Sequence, residues 1–251
     1  NDLSPTAPAR SRLAFDELLA NQLALRLIRQ QTKLALPGRV IAGTGRITEQ
    51  LLPLLPFTPT SAQQRVIAEI TADQGTPDRM LRLLQGDVGS GKTFVALMAI
   101  LNALEAGAQA ALLAPTEILA RQHYQELSKL LKPLGLTPVL LSGSTKQKAR
   151  QDILQGLADG SCQIAIGTHA LLTDEVIFAD LALAVVDEQH RFGVRQRLVL
   201  GQKGKNCDVL VMTATPIPRS LAMTAYGDLT VSRPMKNLQA GRILRLSLIH
   251  I

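Results

Sequence analysis

Three observations predict an α/β fold in which a parallel sheet carries helices on both faces. Short runs that are apolar throughout recur along the chain, at Met80–Gln85, Ala110–Ala114, Val139–Leu141, Gln163–Gly167, Leu183–Asp187 and Val209–Met212. Strands buried on both sides read this way, whereas a strand with one wet face alternates apolar and polar residues. Segments of helical character separate these runs, at Phe94–Leu104, Glu117–Leu131 and Lys146–Ala158. Finally, the chemically distinctive residues stand where these strands stop, which is where open α/β sheets bind ligands.

Composition agrees with a globular chain. Its 251 residues are 46% hydrophobic and 19% charged, enough for one large domain or one domain with appended segments. No run approaches the eighteen or so apolar residues of a membrane span, and no basic-then-apolar secretory start is visible. Cys162 and Cys207 lie far apart without metal-ligand spacing, and read as buried or idle thiols of a cytoplasmic protein. The net charge of +7 suits a polyanionic partner. With 3% aromatics and no Trp, base stacking is excluded as the main mode of binding, which leaves contact with a nucleic-acid backbone.

Taken in order, residues 1–10 carry Pro5 and Pro8 and form a linker. From Ser11 to Leu34, Leu13, Phe15, Leu18, Leu19, Leu23, Leu27 and Ile28 recur at near-helical spacing, so an amphipathic helix is expected, ended by Pro37-Gly38. A shorter helix is expected over Ile47–Leu55, stopped at Pro56. This helical extension, residues 1–56, shows no chemistry and is expected to pack on the domain of residues 57–230; residues 231–251 form a tail.

In Phe57-Thr58-Pro59-Thr60-Ser61-Ala62-Gln63-Gln64, either Thr60 or Ser61 can cap a helix that runs through Ile70. Gln63 then lies one turn into that helix. It is either an ordinary helical glutamine or, just upstream of a phosphate loop, an amide able to read an adenine edge.

Gly86-Asp87-Val88-Gly89-Ser90-Gly91-Lys92-Thr93 fits the P-loop spacing, with a buried strand before it and a helix after it. That order aims backbone N–H groups and the positive end of a helix dipole at a triphosphate. The glycines allow close approach of backbone to phosphate. Lys92 supplies a point charge to the β- and γ-phosphates, and the Thr93 hydroxyl suits magnesium.

The remaining strand ends are Pro115-Thr116, Gly167-Thr168-His169, Asp187-Glu188-Gln189-His190 and Thr213-Ala214-Thr215-Pro216. A carboxylate leaving a buried strand near a P-loop suits a magnesium partner, usually through water, and this is the expectation for Asp187. Glu188 beside it can polarise an attacking water. The plainer alternative makes this pair a helix N-cap, and Thr213 and Thr215 could likewise cap the next helix. His169 reads as an orienting or buried histidine.

Taken together these strings resemble the first motor domain of superfamily 2 DNA helicases, and more closely the RecG branch. The match is carried by Leu54–Gln63, Gln85–Thr93, Ala114–His123, Ile166–Leu172, Val185–Arg197 and Met212–Leu229, in the expected order, across nearly the whole chain from Arg10 to Asp228. The resemblance implies a RecA-like fold and a monomeric, ATP- and Mg2+-dependent translocase that remodels branched DNA, such as stalled forks and Holliday junctions, in recombination and repair. It implies an ATP site formed by Phe57, Thr60, Gln63 and Gly86 through Thr93, with Gln63 on the adenine. Thr93 and Asp187 would hold magnesium and Glu188 would activate water. Gln189 and His190 would link nucleotide state to the second motor half. Pro115, Thr116, Gly167 and Thr168 would touch the DNA backbone, and Thr213, Ala214 and Thr215 would couple hydrolysis to movement.

The resemblance also implies a wedge domain before Leu3 and a second motor half carrying the arginine finger. Leu238–Arg242 still resembles the linker into that half; residues 243–251 do not, and are expected to pack poorly as a truncated or out-of-frame end. A transcription-repair coupling factor motor is the near alternative, against which Asp187–His190 and Thr224–Asp228 favour RecG. A non-hydrolysing nucleotide-binding module is the alternative from another class.

Overall fold

The apolar runs pair as their composition requires. In the computed structural model, which describes residues 12–17, 19–20, 23, 38–187, 203–204, 206–214 and 230–232, seven strands form one sheet. They are β1 (Leu81–Gln85), β2 (Gln109–Leu113), β3 (Val139–Leu141), β4 (Ile164–Gly167), β5 (Leu181–Val186), β6 (Asp208–Thr213) and β7 (Thr230–Ser232). Their order is β3-β4-β2-β5-β6-β1-β7, and every pairing is parallel. β7 has no counterpart among the sequence expectations; it is three residues long and pairs with the outer side of β1.

Both sheet faces are covered, because successive strand residues point to opposite sides. Ala110, Leu112, Ile164, Ile166, Leu183, Val185, Leu210 and Met212 pack with residues of helices α2 (Arg46–Leu51), α3 (Ser61–Gln74), α4 (Lys92–Glu105) and α5 (Glu117–Leu131). The alternate residues Ala111, Leu113, Ala165, Ala184, Val186, Val209 and Val211 pack with Leu157 of α6 (Gln147–Ala158) and with Ala170, Leu171, Val176 and Phe178. Residues 12–17, here α1, are helical; much of the helix expected over 11–34 falls outside the described residues, as does the tail 243–251.

Residues 38–56 are built into the domain core. Ile41 and Leu51 are fully buried against α3 and α4. The Glu105 carboxylate, at the end of α4, accepts from the backbone N–H of Gly45, Ile47 and Thr48. It thereby supplies the side-chain acceptor that Gly45 cannot offer at the start of α2. Asn102 donates to Ile41 O at 3.2 Å and accepts from Gly43 N at 3.0 Å.

Two buried polar side chains stitch the far rim. Gln109 Nε2 donates to Leu157 O at 2.9 Å and Cys162 O at 2.8 Å, while its Oε1 accepts from Asp180 N at 2.8 Å. Replacing Gln109 with methionine leaves Cys162 O and Asp180 N unpaired, while Leu157 O keeps its bond from Ala179 N at 3.0 Å, so urea unfolding should show a loss of about 2–4 kcal/mol. An unchanged midpoint would mean that water replaces the amide. Arg82, a buried arginine within β1, pairs with Glu69 at 3.0 Å and Asp73 at 2.5 Å on α3. Cys162 and Cys207 are both free thiols; burial pushes that of Cys207 up to about 12, which keeps it protonated and inert.

Candidate functional site

The site forms along the carboxyl ends of the central strands. Register fixes the rim: Gln85 of β1 pairs with Thr213 of β6, Val186 of β5 with Val211 of β6, and Leu113 of β2 with both Val186 and Gly167. One strand, β6, therefore stands between the loop leaving β1 and the carboxylate leaving β5. At the usual interstrand spacing their roots are about 10 Å apart. Backbone bonds carry the ladder past the strand ends, from Gly86 N to Thr213 O at 3.2 Å and from Asp187 N to Leu113 O at 2.9 Å.

The loop folds as the glycine spacing predicts. Gly89 and Gly91 have φ of 80° and 83°, a region that side-chain-bearing residues rarely occupy. Gly91 is the N-cap of α4 and no side chain caps that helix. Its first N–H groups are thus directed into the loop. Lys92 Nζ closes over the loop, donating to Gly86 O at 2.7 Å and Asp87 O at 2.9 Å. Ser90 Oγ is buried with no hydrogen-bond partner among the described residues. Uncapped amides, an ammonium group and an orphaned hydroxyl together suit a phosphate group. Asp87 and Val88 are exposed at the tip, and Thr93 is half-buried in the first turn of α4.

The helix before β1 resolves the open capping question. Thr60 is the N-cap of α3, and its hydroxyl accepts from Gln63 N at 3.2 Å. Gln63 Oε1 returns the bond from Thr60 N at 2.9 Å, which completes a capping box. Gln63 Nε2 also donates to Ser90 O at 3.1 Å, tying α3 to the P-loop. A Cβ at Gly91 would stand 2.3 Å from that nitrogen and displace the Gln63 amide, and the φ of 83° itself calls for glycine. An amide has two donor hydrogens and two acceptor lone pairs, so these bonds use half of its capacity. Phe57 packs edge-to-face on Phe94, ring centroids 5.3 Å apart. It lines an apolar cavity of ≈ 920 Å³ together with Leu52, Pro59, Ile67 and Met98.

Elsewhere on the rim the expectations meet mixed surroundings. Thr116 caps α5, accepting from Leu119 N at 3.3 Å, and like Pro115 it is half-buried. Gly167 is buried within β4; a Cβ there would lie 2.1 Å from Leu141 O, so its glycine has a packing reason. Thr168 is 2% exposed and its hydroxyl has no partner among the described residues. Thr213 is buried and Ala214 half-buried. His169 is exposed at the start of a 3-10 turn, which corrects the reading of a buried histidine. Glu188, Gln189, His190 and Thr215 fall outside the described residues.

Sequence reasoning missed His123. It lies on the buried stripe of α5 with Ala120, Leu127 and Leu131, and its Nε2 stands 2.7 Å from Asp187 Oδ2. The stripe was legible as the spacing 120, 123, 127 and 131; the carboxylate it faces was not.

This arrangement, a P-loop and an acidic strand end on one parallel sheet, is that of a P-loop nucleotide-binding domain. A sequence model of the DEAD/DEAH box helicase family matches residues 60–224, and the chain belongs to that family. Within it, the chain is similar to the ATP-dependent DNA helicase RecG of Pasteurella multocida, 51% identical over 231 residues, 90% of this chain and 33% of that protein. The RecG of Bacillus subtilis is 47% identical, with 93% of this chain and 34% of that protein covered. A structure of RecG bound to a three-way DNA junction superposes with a TM-score of 0.81 at 43% identity, covering 93% of this chain and 31% of that one. The helicase MrfA bound to DNA and AMPPNP, at 19% identity and a TM-score of 0.58, shares the fold. The chain thus spans about a third of the length of the relatives it matches. Among the described residues no helix is long and apolar enough to cross a membrane.

Proposed function

We propose that this chain is the ATP-binding half of a RecG-type DNA helicase, a cytoplasmic, monomeric translocase that remodels branched DNA in recombination and repair. The observation that carries the reading is the shared rim, where the Lys92 loop and Asp187 are separated by β6 alone. Residues 57–230 form the RecA-like domain, 1–56 an extension whose residues 38–56 are latched to it, and 231–251 a tail in which Leu238–Arg242 leads toward a second motor half.

In this reading the loop amides and Lys92 bind the phosphates of ATP, and Gln63, with the capacity its two bonds leave, contacts the adenine beside Phe57. Thr93 and Asp187 hold magnesium, which when bound neutralises charge on the transferred phosphoryl group. Glu188 orients the attacking water and accepts its proton. Gln189 and His190, with Thr213, Ala214 and Thr215, pass the nucleotide state to the neighbouring half. Pro115, Thr116, Gly167 and Thr168 line the DNA side, where backbone contact gives grip without sequence preference. Gly167 contributes there by letting β4 and its neighbours pack closely.

Fluorescence titration with a labelled ATP tests the reading. The chain should bind Mg-ATP yet turn it over about 10³–10⁵-fold more slowly than when a second motor half supplies an arginine finger. Brisk DNA-stimulated hydrolysis by these 251 residues alone would contradict it.

A further inference from the structure

His123 has no role in the site as derived so far, yet its ring meets the carboxylate on which that site depends. The two side chains come from different elements, α5 and the end of β5, and both are deeply buried, His123 at 7% and Asp187 at 8% exposure. The Nε2–Oδ2 distance of 2.7 Å marks a short, well-formed hydrogen bond. The other ring nitrogen, Nδ1, is buried with no partner among the described residues. The imidazole therefore spends its hydrogen bonding on Asp187. A leucine at this point of the stripe would fill space without leaving a ring nitrogen unpaired, which is costly in an interior. The histidine makes sense through the bond it does form.

We propose that His123 is a positioning residue, donating Nε2–H to Asp187 Oδ2 and so fixing the rotamer of the carboxylate that serves the cation. The inference rests on the reading of Asp187 given above. The direction of the bond follows because an ionised carboxylate only accepts. A bond from a ring fixed on α5 restricts the rotation of the carboxylate and so sets the direction in which its oxygens face a cation. Groups that orient a ligating side chain from behind typically change metal affinity or activity about 10–100-fold when removed. Thr116 caps the same helix seven residues earlier, about 10 Å along its axis. The position of Asp187 is in this way tied to α5 as a rigid element.

The test is a magnesium chloride titration of fluorescent ADP binding to the chain, run beside the same nucleotide in EDTA. His123→Leu should raise the magnesium concentration at half-saturation by about tenfold or more, with binding in EDTA unchanged. His123→Gln, whose amide nitrogen reaches the place of Nε2, should stay within about threefold of the unmodified chain, whereas the shorter His123→Asn should behave like His123→Leu. If His123→Leu fails to fold by thermal melting, the Gln and Asn pair carries the comparison. An unshifted half-saturation in His123→Leu, or equal impairment of the Gln and Asn variants, overturns the inference while leaving the nucleotide site intact. Absence of magnesium-dependent binding by the unmodified chain overturns the proposed function and this inference with it.

Discussion

In the proposed helicase, replacing Lys92 with alanine should lower ATP turnover by the complete motor by about 10²–10³-fold and leave its affinity for a branched DNA within about twofold. The loss on the chemical side follows from where the ammonium is held. Lys92 Nζ is held at the P-loop by Gly86 O at 2.7 Å and Asp87 O at 2.9 Å. A charge already held in place is worth more to a transition state than one that must be reoriented from water. The amides themselves survive the substitution, because Gly91 still begins α4 and Gln63 still anchors Ser90 O. Nucleotide affinity should therefore fall less than kcat. Arginine should be a poor rescue, since its longer planar fork cannot place a compact point charge between Gly86 O and Asp87 O as the ammonium does. The proposed DNA side is protected by distance. β6 and β5 lie between β1 and β2, so Thr116 is rooted about 14 Å from the loop at ordinary strand spacing, beyond the screening length at physiological salt. A coupled ATPase assay and DNA anisotropy measure the two halves of the prediction. Turnover above a tenth of the unmodified rate would remove Lys92 from the chemistry, and a parallel collapse of DNA binding would show that the substitution damages the fold.

The rim carrying this chemistry was legible because its strands are buried on both faces and so announce themselves without any periodicity. Glu117–Leu131 and Val139–Leu141 have the expected ends. Other boundaries shifted where a polar side chain is hidden. The helix expected to stop at Ile70 continues to Gln74, and Gln74 is fully buried, donating to Ala99 O at 3.3 Å. A glutamine reads as surface until its acceptor, far along the chain, is known. Residues 38–56 looked like an appendage because Glu105, which holds their backbone, appears in the sequence as an ordinary charged helix end. β7 was invisible for a different reason: three residues carry too little pattern, and the strand exists by pairing with β1. The capping box shows a case where local chemistry left two choices, Thr60 or Ser61, and the structure takes Thr60, whose partner in the box is the same Gln63 that bonds the P-loop.

Asp208 produces the other large effect, and it acts on stability. It starts β6, on the rim opposite the nucleotide loop, and is fully buried. Its Oδ1 accepts from Met80 N at 2.8 Å, while Oδ2 has no partner among the described residues. Burial is the main cause that lifts its carboxyl from 3.8 to about 7; the Met80 N–H and the nearby Arg79 oppose the shift without cancelling it. A raised value means that the folded chain holds this proton more tightly than the unfolded chain does. The associated stability is complete below about pH 4 and is lost as pH rises toward 7. Urea unfolding should therefore show the chain about 2–4 kcal/mol more stable at pH 5 than at pH 8, other groups held aside. The Ser144 hydroxyl, the Ser161 hydroxyl and Arg150 hold the carboxyls of Glu117, Asp159 and Glu175 low, respectively. Those groups act in the opposite sense, losing their contribution only as pH falls through their folded values, so the comparison belongs above pH 5. Asp208→Asn keeps the acceptor for Met80 N–H and cannot ionise, so its stability should be nearly level across the same interval. A slope in the variant as steep as in the unmodified chain would assign the pH dependence to another group.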